Sequence, residues 1–157
     1  MATESSAAGK GAANGNPAGR SVDCQLCREE GGIVLWRDPS CRVVAVDDPE
    51  YPGFCRVILQ RHAREMTDLT PDEQQHLMHV VLAVEAVLRD MLAPDKINLA
   101  SLGNVVPHVH WHVIPRYRDD RHYPAPIWAP PARGHSAPRK FDAAATGRRL
   151  AERLDPG

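Results

Sequence analysis

The spacing of apolar positions changes period along the chain. From residue 33 to 59 they come in short runs: Ile33-Val34-Leu35-Trp36, then Cys41 to Val46, then Phe54 to Leu59. Short apolar runs bounded by turn formers predict strands. Asp47-Asp48-Pro49-Glu50-Tyr51-Pro52-Gly53 separates the last two runs, so 41–59 is predicted to be a strand–loop–strand hairpin. The period then lengthens. Leu77, Val81, Val84, Leu88 and Met91 recur at three- and four-residue spacing and make one apolar stripe of a helix. Thr70-Pro71-Asp72-Glu73 supplies the start signal: a threonine N-cap, a proline at the first helical position and a capping-box glutamate. Pro94 disfavours helical geometry before it, so this helix is predicted to stop near Ala93. Strict alternation returns from Lys96 to Leu102 and again from His108 to Ile114. Residues 141–154 predict a short terminal helix. The order β-β-β-α-β-β predicts an α+β domain: an antiparallel sheet of about five strands, one main helix and a short C-terminal helix.

Composition sets the boundaries around this domain. Residues 2–19 are rich in Ala, Gly, Ser and Asn, so 1–21 is read as a disordered leader. The domain is placed at 22–128, and a proline-rich extension at 129–157. At 157 residues, 43% hydrophobic and 25% charged, the chain suits one globular domain. A net charge of −1 argues against nucleic-acid binding driven by bulk charge. No apolar run approaches the roughly 18 residues that cross a bilayer. With no secretory signal pattern, the expected compartment is the cytoplasm, with Cys24, Cys27, Cys41 and Cys55 as thiols.

The candidate chemistry lies in the last alternating segment, His108-Val109-His110-Trp111-His112-Val113-Ile114. On a strand the three imidazoles share one face, roughly 6.5–7 Å apart, and Val109, Trp111 and Val113 share the other. Three readings compete. The histidines are ordinary polar residues; they are ligands of a catalytic zinc, with two histidines two apart as the pair and His112 or His62 as the third; or they are nucleophile and proton carriers. The third reading suits imidazole best. Its reference pKa near 6.5 leaves a neutral, nucleophilic ring at pH 7. A neighbouring ring can hold the proton that a leaving oxygen needs. A protonated neighbour also offsets charge on phosphate oxygens.

The segment resembles the His-x-His-x-His-x-x pattern of the histidine triad (HIT) superfamily, with apolar residues at each x. Pro52-Gly53, the strand 55–59, His62, the Thr70-capped helix, Asn98 and Arg116 follow in the family's order, so the resemblance covers roughly 22–128. It implies hydrolysis or transfer at the α-phosphate of a purine nucleotide derivative through a nucleotidyl-histidine intermediate. Dinucleoside polyphosphates and nucleoside phosphoramidates are the implied substrates, with no cofactor required for the chemistry. Residue by residue, it implies His110 as nucleophile, His112 as the phosphate-contacting proton donor and His108 as a supporting histidine with His62 beside it. Asn98 resembles a residue that polarises the site. Gly103 and Asn104 fall where the family's phosphate loop runs. Asp47 or Asp48 resembles the acid that takes ribose hydroxyls, although either also reads as an ordinary turn acid. Members pair as homodimers, which is the expected assembly here.

Cys24-x-x-Cys27 has the spacing of half a zinc site and equally that of two unmetallated thiols. Some HIT proteins complete such a structural zinc with two histidines, which would here be His62 and His108. Cys41 and Cys55 read as buried small hydrophobes, Trp36 and Phe54 as core or base-pocket residues, Trp128 as a cover for the site, a contact with a partner subunit or equally a core filler, and His122 and His135 as solvated loop residues. The competing function classes are a zinc-dependent hydrolase using the histidine row as ligands and a nucleotide-binding scaffold with low turnover.

Overall fold

Residues 19–155 are described by the computed structural model. Most of the expected leader, 1–18, lies outside them. Of its remainder, the Gly19 carbonyl accepts a hydrogen bond from the backbone N–H of His62 at 2.7 Å.

Five strands form one antiparallel sheet: β1 Ile33–Arg37, β2 Cys41–Ala45, β3 Cys55–Leu59, β4 Lys96–Ala100 and β5 His110–Arg116, in spatial order β1-β2-β3-β5-β4. Three helices accompany it: α1 Gln25–Arg28, α2 Pro71–Leu92 and α3 Ala143–Leu154. The expected hairpin is present, with Cys41 opposite Leu59 and Ala45 opposite Cys55. Two elements carried no sequence signal that was read: the four-residue α1 and a 3-10 turn at Met66–Asp68. The strand predicted from Lys96 to Leu102 ends at Ala100, and the strand predicted from His108 begins at His110.

The helix starts where its cap signal places it. Thr70 accepts from the Glu73 backbone N–H, and the Glu73 side chain accepts from the Thr70 N–H. It ends with Ala93 in the left-handed region, just before Pro94. Leu77, Val80, Val81, Val84, Val87 and Leu88 are buried. They meet Val43, Cys55, Val57, Leu59, Val109 and Val113 from one face of the sheet. Cys41 and Cys55 are fully buried in this core, as expected of small apolar residues.

Helix α3 joins the same core through Leu150. Asp142 caps it by accepting from the Ala145 N–H at 2.8 Å. Gly147 lets it lie close on β1: a Cβ there would fall 2.8 Å from the Leu35 carbonyl oxygen. The far end is tied by Trp36, whose Nε1 donates to Asp155 at 3.0 Å. Trp36 is thus a core residue.

The opposite face of the sheet is different in kind. Alternation turns Arg42, Val44, Arg56, Ile58, His110, His112 and Ile114 away from α2. Part of this face is covered by α1, where Cys24, Leu26 and Cys27 pack on Val44 and Ile58. Another part is covered by the segment around Ile127, which packs with Tyr51, Phe54 and Ile114. The site lies in what remains open between them. Among the described residues no helix is long and apolar enough to cross a membrane.

Candidate active site

A cavity of about 710 Å³ opens on this second face. His110 and His112 from β5, Arg56 from β3, Gln25, Leu26 and Glu29 from the α1 region, Gly103 and Asn104 from the loop after β4, and Trp128 all line it. The two imidazoles stand edge to face with centroids 4.9 Å apart. His108 and His62 are not in this lining. The row of three is therefore a pair that faces the cavity and a third ring that turns elsewhere, because β5 begins only at His110.

The His110 ring is held in one tautomer by what it touches, whereas His112 Nδ1 is buried with no hydrogen-bond partner among the described residues. His110 Nδ1 lies 2.6 Å from the His108 carbonyl oxygen. A carbonyl only accepts, so Nδ1 carries the proton and Nε2 keeps its lone pair. Burial pushes the His110 pKa down, the carbonyl bond opposes this, and the Arg56 charge adds to it. His112 is pushed down to about 4 by burial, then by His110 and Arg56. Both rings are thus neutral at pH 7 in the free protein. The contact that orients the His110 ring is made by the His108 backbone carbonyl.

The His108 ring faces a sulfur cluster. Its Nε2 donates to the Leu59 carbonyl at 2.8 Å, which leaves the Nδ1 lone pair pointing at Cys24 Sγ, 3.4 Å away, and Cys27 Sγ, 3.5 Å away. Cys27 Sγ also lies 3.6 Å from His62 Nδ1. The four ligand atoms all fall within 4.8 Å of one another. A tetrahedral zinc with the usual bond lengths holds neighbouring sulfur and nitrogen about 3.5 Å apart. The donor set and its spacing fit that ion, and the Leu59 carbonyl is the outer partner that such a histidine ligand requires. Sequence reasoning thus picked the four residues that the fold brings together. Among the described residues, His110 and His112 belong to no group of metal-ligand side chains.

Other expected residues are placed as follows. Gly103 adopts φ 75°, a left-handed conformation suited to glycine, and turns the loop that carries Asn104 to the cavity rim. Asn98 instead borders a neighbouring cavity that shares Trp128, and its Oδ1 accepts from Arg116 Nη1 at 2.6 Å. Neither Asp47 nor Asp48 lines the histidine cavity. Asp48 caps its own turn, accepting from the Glu50 N–H at 2.9 Å. The acid that does line the cavity is Glu29, which sequence reasoning passed over. Phe54 is not in the cavity lining but is buried behind His112, tilted against it at 5.6 Å, and Trp128 covers His112 from another side at 5.1 Å. His122 is not a solvated loop residue: its ring stacks on Tyr51 and Nδ1 bonds the Tyr51 hydroxyl. His135 is exposed and pairs with Glu50.

The segment that brings Trp128 over the site is anchored from beneath. Arg116 and Asp120, both side chains 2% exposed, form a two-pronged ion pair at 2.7 and 3.0 Å. Arg116 Nη2 also donates to the Ala125 carbonyl at 2.8 Å, three residues before Trp128.

Fold and site together define an α+β protein with paired imidazoles at a cleft on the face of the sheet that α2 leaves open. The chain belongs to the HIT domain family, whose pattern matches residues 28–119. It is 36% identical over 95 residues to a bis(5'-nucleosyl)-tetraphosphatase [asymmetrical] of Schizosaccharomyces pombe, covering 57% of this chain and 52% of that protein. It is 26% identical over 114 residues to an AP-4-A phosphorylase of Mycobacterium tuberculosis, covering 69% and 58%. The chain therefore spans little more than half the length of these relatives. Among solved structures, a histidine triad protein from Bradyrhizobium japonicum superposes with a TM-score of 0.66 at 29% identity, covering 87% of this chain and 98% of that one. One from Sinorhizobium meliloti gives 0.62 at 30% identity, covering 78% and 90%.

Proposed function

We propose that the protein hydrolyses or transfers a nucleotidyl group from a purine nucleotide derivative, with His110 as the nucleophile. The observation that carries this is the His110 tautomer: Nδ1 is engaged by the His108 carbonyl at 2.6 Å, so Nε2 has its lone pair available in a cavity large enough for a nucleotide. Nε2 attacks the α-phosphorus. An N–P bond forms, the P–O or P–N bond to the leaving group breaks, and the departing atom takes its proton from His112. The phosphate supplies the negative charge that brings His112 its proton, since His112 is otherwise neutral. Water or another acceptor then attacks phosphorus and gives its proton to His112, and the N–P bond breaks to free His110.

The candidate substrates are dinucleoside polyphosphates and nucleoside phosphoramidates. Both named relatives act on the former by their names, one as a hydrolase and one as a phosphorylase. Gly103 and Asn104 are assigned to the phosphate loop, and Leu102, Val106 and Trp128 to the apolar surround of the nucleoside. Cys24, Cys27, His62 and His108 are assigned to a structural zinc, whose place is to pin α1 and the start of the domain to β5. The chemistry itself runs on imidazole. We read the assembly as a homodimer because β4 is an edge strand with an unpaired ladder.

The test is an adduct. The protein is mixed with a radiolabelled nucleoside phosphoramidate at low pH, quenched, and mapped by mass spectrometry. Label on His110 supports the reading. Label elsewhere, or turnover unchanged in His110→Ala, refutes it.

A further inference from the structure

Arg56 is a cation that makes no ion pair among the described residues. It lies in the middle of β3, directly opposite His112 in the β3–β5 register. Its Nε is buried with no hydrogen-bond partner. Its Cζ lies 5.5 Å from the centroid of the Phe54 ring. Burial alone lowers its pKa. The only carboxylate in the cavity lining, Glu29, is engaged by Gln25 Nε2 at 2.9 Å instead. A half-buried guanidinium without a counter-charge costs free energy, and a fold keeps one where an anion arrives to offset it.

Its place along the sheet says which part of a ligand that anion is. His110 and His112 are two residues apart on β5, and Arg56 is opposite His112 rather than His110. In the proposed reaction His110 attacks phosphorus and His112 gives its proton to the atom that leaves. The leaving group therefore begins on the His112 side, past the α-phosphorus, and its first atoms pass Arg56. A phosphate attached there presents two oxygens to a planar fork of N–H donors. An amine attached there presents no negative charge.

We infer that Arg56 is a specificity-determining residue that binds the first phosphate of the leaving group, so that the site is built for nucleotides joined through a phosphoanhydride chain rather than for phosphoramidates. The inference rests on the reading of His110 as nucleophile. It goes further by choosing between the two substrate classes which that reading leaves equal.

The experiment compares the full-length protein with Arg56→Gln and Arg56→Lys on two substrates, diadenosine tetraphosphate and adenosine 5'-phosphoramidate. Affinities for AMP and ADP are measured alongside. Arg56→Gln should lower kcat/KM for the tetraphosphate roughly 10- to 100-fold more than for the phosphoramidate, the range of a charge-assisted hydrogen bond. It should also remove most of any preference for ADP over AMP. Arg56→Lys, which keeps the charge and loses the fork, should recover part of the loss. Equal losses on both substrates, or an unchanged preference for ADP, overturn the inference and leave His110 chemistry standing. A wild-type protein that turns over neither substrate overturns both. Thermal unfolding of the variants shows whether β3 is intact, and the AMP affinity shows the same for the site.

Discussion

The backbone carbonyl of His108 fixes the ring of His110, two residues along the same strand, through a 2.6 Å contact to Nδ1. The chain thus uses one histidine twice: its carbonyl orients the His110 ring, and its own ring faces the sulfur cluster on the other side.

Replacing His110 tests the first use. His110→Asn should lower turnover by roughly 10³-fold or more, as loss of a nucleophile does, while nucleotide affinity changes little. Burst-phase and equilibrium binding measurements separate the two.

Removing metal tests the second. The protein as purified should carry about one zinc per chain, and Cys27→Ser should lose most of it. Metal analysis reads this directly. Chelation should lower the unfolding temperature, since such an ion stabilises only the folded chain. Activity measured well below that temperature should outlast the zinc. Zinc and activity lost in strict proportion would instead favour a zinc hydrolase.

Asp120 carries the anchor under Trp128. Asp120→Ala leaves Arg116 buried without its carboxylate and should destabilise the fold by about 3–5 kcal/mol. Asp120→Asn, which keeps some of the hydrogen bonds, should cost less. Urea unfolding at pH 7 checks both.

Acid stability follows from His112. Its folded pKa is about 4, whereas the unfolded value is about 6.5. Below 6.5 the unfolded chain takes up a proton that the folded chain refuses. The contribution of this ring is thus fully present above about 6.5, is lost as the pH falls toward 4, and amounts to about 3 kcal/mol at most. His112→Gln should remove that share of the pH dependence. Unfolding curves of both proteins between pH 7 and 4.5 decide it.

The features legible in the sequence were those written in short stretches. The main helix announced itself through Thr70, Pro71 and Glu73 and through a stripe from Leu77 to Leu88. The pairing of His110 with His112 followed from alternation alone. The parting of His108 from them did not, because it depends on Cys24, 84 residues away, and on α1, which is too short to show a period. Arg56 escaped for a related reason. Alternation marks it as opposite in face to Cys55 and Val57, but only the strand register sets it across from His112. Asp47 and Asp48 are candidates through the family resemblance alone, with a turn acid as the equal alternative, and Asp48 spends its carboxylate on the turn itself.

Of the three tryptophans, Trp36 is buried against Asp155 and Trp111 lies inside over Met66, whereas Trp128 is 51% exposed beside His112 at the mouth of the cleft. A nucleotide entering the cleft should change the surroundings of that one indole. Intrinsic fluorescence therefore reports occupancy without any attached dye, and a Trp128→Phe protein provides the silent background.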